Sequence, residues 1–155
     1  MLVILMIVYV VSADAQIRSL IPRRQKKESV SNTLTDRNRP PVAQVRELFS
    51  EIEREILESA IGSSSDRFAR QVLVNVHGSE GGYYSANQAA SIIRSYFIQQ
   101  RPSSFSFSRF HDDGSPPFAI GRLTFVKKGV KEYAQVYVSL VKQQSQWVIN
   151  QFNIY

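Results

Sequence analysis

The chain has 155 residues, 43 % of them hydrophobic and 21 % charged, with a formal charge of +6 and no cysteine. That length and apolar content specify one folded domain and exclude wholesale disorder. The missing cysteine excludes disulfides, thiolate metal sites and cysteine nucleophiles.

Met1 to Val11 is an unbroken apolar run followed by Ser12-Ala13-Asp14-Ala15-Gln16. Small residues at Ala13 and Ala15 fit the A-x-A pattern of a signal-peptide cleavage site, with the cut before Gln16. The run is too short to cross a bilayer, which needs about 20 apolar residues. Residues 1–15 are therefore expected to be a signal peptide, and the protein exported, periplasmic or secreted. No transmembrane span is expected after processing.

Residues 16–41 hold seven Lys or Arg against Glu28 and Asp36, a surplus of +5. The segment is poor in aromatics, rich in Ser, Asn and Arg, and ends in Pro40-Pro41. It reads as a basic disordered linker. Residues 42–155 carry only +2. The cluster Arg23-Arg24-Gln25-Lys26-Lys27 has the form of a nucleic-acid or polyanion patch. Behind a signal peptide it reads better as a solvated spacer, and nucleic acid is disfavoured as a partner.

The folded domain, 42–155, opens with an amphipathic helix from Val42 to Ile61. Val45, Leu48, Phe49, Ile52, Ile56 and Ala60 fall on one side of it. Gly62 and the following serines stop it, and Ser65 to Arg70 form a further short helical turn. Gln71–Val76 reads as a strand, His77–Gly82 as a turn and Tyr83-Tyr84 as a short strand. Ser85-Ala86-Asn87-Gln88 is a capping box. Behind it Ala89, Ile92, Ile93, Tyr96 and Phe97 make a second helical stripe, ended before Arg101-Pro102.

The period then changes to two. Phe105 and Phe107 alternate with serines. Strands follow over Phe118–Val126, Lys131–Val141 and Trp147–Tyr155, joined by short turns that make consecutive strands antiparallel neighbours. Helices followed by a curved antiparallel sheet define the α+β class.

The stretch Gly78-Ser79-Glu80-Gly81-Gly82-Tyr83-Tyr84-Ser85-Ala86-Asn87-Gln88-Ala89 resembles the "GxEGxYSxxQA" pattern of a small bacterial family of exported proteins of unknown function. Ala119-Ile120-Gly121-Arg122-Leu123-Thr124 resembles that family's "AIGxLxT" strand, and Val148–Ile154 its terminal strand. The resemblance covers roughly residues 45–155. It implies a signal peptide and the cone-shaped fold of nuclear transport factor two and ketosteroid isomerase, with N-terminal helices packed on a curved sheet. It implies no known activity.

Chemistry is sparse. His77 and His111 are the only histidines. His111-Asp112-Asp113 reads as a solvated turn rather than a metal site, and no cofactor motif is present. Cone-fold enzymes place a carboxylate or His with a Tyr in an apolar pocket. No Asp or Glu is expected on the inward phase of the meander strands, so no catalytic residue is assigned. Inward alternation from Phe105 and Phe107 reaches Arg109 and His111. On the last strand Asn150 shares the phase of Val148, Phe152 and Ile154. These three polar residues are expected to line a pocket mouth for a small apolar ligand.

The opposite phase carries Ile120, Tyr133, Tyr137, Trp147 and Ile149, interleaved with Arg122, Gln135 and Gln151. Aromatics among polar groups suit a protein interface, either a homodimer or another partner. The cone resemblance agrees, since such proteins often pair through this face. The sequence thus describes an exported, non-catalytic binding module. Two alternatives stand beside it: an acid–base enzyme of the isomerase or dehydratase type, and a surface-associated protein tethered by its basic tail.

Overall fold

The computed structural model describes residues 42–77 and 81–155. The expected signal peptide, its cleavage site and the basic linker lie outside the described residues, as do residues 78–80 of the turn after His77.

Helix α1, Val42–Leu57, buries Val45, Phe49, Ile52 and Ile56, the stripe that its sequence spacing dictates. It ends before Ile61, because Ser59 and Gly62 take positive φ angles of 54° and 81°. A Cβ on Gly62 would lie 2.3 Å from the Ala90 carbonyl oxygen, so this loop crosses the second helix too closely for any side chain. Ser65–Arg67 form a single 3-10 turn. Arg67 reaches back from it to Glu51 at 2.7 Å and Glu55 at 3.0 Å on α1. Burial lowers the Arg67 pKa, but the two carboxylates outweigh it and the net shift is upward.

Strand β1 spans Phe68–Val76, starting three residues earlier than the sequence pattern suggests because Phe68 and Ala69 are themselves buried. Strand β2 is Gly82–Ser85. Helix α2, Ala86–Gln100, starts at the expected capping box: the Ser85 side chain accepts from the Gln88 N–H, and the Gln88 side chain accepts from the Ser85 N–H at 3.1 Å. It ends at Arg101, which is left-handed before Pro102.

Strands β3 (Pro102–His111), β4 (Phe118–Lys127), β5 (Val130–Gln143) and β6 (Gln146–Ile154) form the expected antiparallel meander. The full sheet runs β2-β1-β6-β5-β4-β3. It is mixed rather than wholly antiparallel, since β6 returns beside β1 in parallel after α2 and four intervening strands.

Among the described residues the sheet has four register shifts, and two of them, on β3 and β6, change the alternation around the site. On β3, Phe107 pairs with Gly121 and Arg109 with Ile120, leaving Ser108 as an extra residue. On β6, Gln151 pairs with Ser139 and Ile149 with Leu140, leaving Asn150 as the extra residue. Each inserted residue moves all that follows to the opposite face.

The inner face packs on the helices. Phe105 and Phe107 meet edge-on at 4.8 Å, Phe49 and Phe107 at 5.5 Å, and Phe97 and Phe152 at 6.0 Å. These rings interlock in the space between helices and sheet.

Candidate functional site

The β3 bulge decides where the polar candidates lie. Past Ser108, it is Phe110 that continues the inner face, 5.9 Å from the Phe49 ring. Arg109 and His111 are exposed on the outer face, paired with Ile120 and Phe118. The expectation that they point inward is corrected here. Unbroken alternation would carry them into the core, and one extra residue reverses it. Asn150 sits three strands away from them, at the β6 bulge, half-buried with its Oδ1 enclosed and without a hydrogen-bond partner. The three residues expected at one pocket mouth are not brought together.

The β6 bulge corrects the interface set in the same way. Ile149 is 1 % exposed and belongs to the core beside Leu140. Trp147 is half-buried against that core and borders a groove with Leu48 and Arg67 on the helix side. Ile120, Tyr133 and Tyr137 remain together on the outer face, through the pairing of β4 with β5.

That outer face has an ordered arrangement. The His111 ring lies 5.0 Å from Phe118, and Phe118 stacks on Tyr137 at 5.3 Å. The Arg122 guanidinium lies over the Tyr133 ring at 5.7 Å, and Tyr133 is 62 % exposed. A shallow cavity of about 310 Å³ lies between Arg109, Ile120, Arg122, Tyr133 and Tyr155. Behind the aromatic row, Ser139 and Asn153 are buried. The Asn153 amide donates to the Tyr155 hydroxyl at 2.9 Å, while Ser139 Oγ and Asn153 Oδ1 have no partner. Phe118 and Asn153 were legible as members of this face, since Phe118 shares the phase of Ile120 and Asn153 that of Gln151.

Elsewhere the ionisable groups have structural occupations. Asp112 is ion-paired with Arg46, whose hydrogen bond holds the Asp112 carboxyl below its ordinary pKa. His111 Nδ1 lies 3.8 Å from Asp113. Glu132 is an exception to the expectation of an inward phase free of carboxylates. It shares the phase of Ala134, Val136 and Val138 on β5. Burial raises the Tyr96 pKa, and the Glu132 charge raises it further. Among the described residues, no helix is long and apolar enough to cross a membrane.

A family model described as a domain of unknown function, DUF4783, matches residues 49–155. The crystal structure of a DUF4783 family protein from Bacteroides ovatus is 18 % identical at a TM-score of 0.57, covering 66 % of this chain and 89 % of that one. Another, from Bacteroides uniformis, is 16 % identical at 0.58, covering 66 % and 91 %. The designed protein Rd1NTF2_04 with long sheet is 15 % identical at 0.59, covering 72 % and 99 %. No curated protein matches the chain. The structural likenesses show an α+β fold of the nuclear-transport-factor-two type, with helices packed on a curved six-stranded mixed sheet.

Proposed function

The chain belongs to the DUF4783 family, and on that premise we propose that it is an exported, non-catalytic binding module that receives a protein partner on the outer face of its sheet. One observation carries this: Tyr133, Tyr137, Ile120 and Phe118 sit on one face with Arg109 and Arg122, and Tyr133 is mostly exposed. Aromatic and arginine side chains are the types that dominate protein–protein contacts, while an ordinary solvated sheet face is richer in Lys, Glu and Ser.

The interior supports the same reading. A small apolar ligand needs room between helices and sheet, and the edge-on rings of Phe49, Phe97, Phe105, Phe107 and Phe152 fill that space. Export rests on the apolar leader and the Ala13-Asp14-Ala15 site. An N-terminus at Gln16 on protein recovered outside the cytoplasm is the expected result, and retention of Met1 on the recovered protein contradicts it.

The interface is tested by placing a photo-cross-linking side chain at Tyr133 and, as a control, at Glu47 on the exposed side of α1. Discrete protein adducts from Tyr133 alone support the reading. Adducts of equal yield from both positions, or from neither, overturn it.

A further inference from the structure

Among the described residues, the strands hold a single carboxylate side chain, Glu132, and its phase is inward. The outer phase is free of Asp and Glu across the whole sheet. It carries instead Arg109 on β3, Arg122 on β4 and Lys131 on β5, interspersed with Tyr133, Tyr137 and Gln135. Beyond the end of β3, Asp112 is taken by Arg46 and Asp113 lies 3.8 Å from His111. The domain as a whole is nearly neutral, with twelve basic and ten acidic residues in 42–155. The absence of carboxylates from this face is therefore a matter of placement and not of the composition.

We propose that the outer face docks an acidic polypeptide segment, a partner chemistry that rests on the protein-docking reading above. Charge complementarity selects this occupant. A second copy related by a two-fold axis would bring another outer phase with Arg109, Arg122 and Lys131 and no strand carboxylate to pair with them. A nucleic acid would need free ring faces for its bases. Here Phe118 and Tyr137 stack on each other, and Tyr133 lies beneath Arg122. An acidic peptide uses what is left: guanidinium edges for carboxylates, aromatic edges for its apolar side chains, and the Gln135 and Gln151 amides for its backbone.

The test uses the full chain and a fluorescent random copolymer of glutamate and tyrosine, read by anisotropy at low salt. Because the basic tail would also attract this probe, a variant with Arg23, Arg24, Lys26 and Lys27 all changed to Gln is measured beside it. Binding should persist in the tail variant. It should fall by about tenfold or more when Arg109→Glu and Arg122→Glu are combined. The pair Arg109→Lys and Arg122→Lys should retain most of it, and unchanged circular dichroism certifies folding. Absence of binding, binding carried by the tail alone, or equal binding by the double-glutamate variant overturns the proposal. So does tighter, arginine-dependent binding of oligo(dT). Self-association abolished by Tyr133→Glu, without copolymer binding, overturns the acidic partner while leaving the docking face standing.

Discussion

Glu53 on α1 accepts the backbone N–H of Phe107 at 3.1 Å, one residue before the β3 bulge. Strand β3 is an edge of the sheet, where unpaired N–H groups invite association with other chains. The helix carboxylate closes that edge at the point where the bulge turns the strand. Glu53→Ala should therefore destabilise the domain by about 1–2 kcal/mol, as expected for a hydrogen bond to a charged acceptor. Glu53→Gln, which keeps an acceptor, should recover much of the loss. Urea unfolding and exchange of the Phe107 amide measure both effects. An amide equally protected in Glu53→Ala would show that the carboxylate does not close this edge.

Periodicity made most of the fold legible. The α1 stripe, the Ser85–Gln88 capping box, the stop at Pro102 and the meander all follow from local residue choice. The site was legible only where alternation is unbroken. On β4 and β5 it places Ile120, Tyr133 and Tyr137 correctly on one face. On β3 and β6 it fails after Ser108 and at Asn150, since a period-two pattern holds no record of an inserted residue whose neighbours are of mixed polarity. Arg109, His111, Trp147 and Ile149 were misplaced by this one cause. The run Phe107-Ser108-Arg109-Phe110 held a clue. Phe110 breaks the phase of Phe105 and Phe107, and a bulge is the way for all three rings to face the core.

Removing the bulge tests that account directly. Deletion of Ser108 would make the pairing of Phe107 with Gly121 and of Arg109 with Ile120 consecutive, leaving Phe110 against Phe49 and Phe107 and keeping Arg109 and His111 on the outer face. The deletion should therefore still fold cooperatively, at a cost of about 1–3 kcal/mol for the lost bend, and Ser108→Ala, which keeps the residue count, should be nearly neutral. Phe110→Ala, which empties the inward position after the bulge, should cost more than Ser108→Ala. Loss of cooperative thermal unfolding in the deletion, or a neutral Phe110→Ala, would contradict this assignment of the bulge.

Two glycines with nearly the same backbone separate conformational from steric cost. Gly62 and Gly129 both have φ near +80°, but a Cβ on Gly129 meets nothing within 4 Å. On Gly62 it would collide with the Ala90 carbonyl oxygen. Gly129→Ala should cost about 1–2 kcal/mol for the left-handed backbone alone. Gly62→Ala should cost about 1–3 kcal/mol more, because the loop after α1 must lift off α2. Equal losses in denaturant unfolding would mean that the crossing at Ala90 yields freely.

Tyr96 gives the stability a dependence on alkaline pH. Its side chain, on α2, is half-buried; burial raises its pKa, and the Glu132 charge adds to the shift. In the unfolded chain the phenol ionises at the ordinary tyrosine value of about 10. Between that value and the higher folded one, the folded state retains a proton that the unfolded state has lost. Its contribution is thus fully present below about pH 10 and is lost as pH rises through the folded pKa. The urea midpoint should fall on passing from about pH 9 to about pH 11, with a smaller fall in Tyr96→Phe, which keeps the ring and its edge-on contact with Phe97. Glu132→Gln removes the second cause and should leave an intermediate slope. Absorbance titration of the folded protein should show one tyrosine ionising later in the parent than in Glu132→Gln. If Tyr96→Phe declines with pH as steeply as the parent, the alkaline sensitivity arises from the lysines instead, and Tyr96 has no share in it.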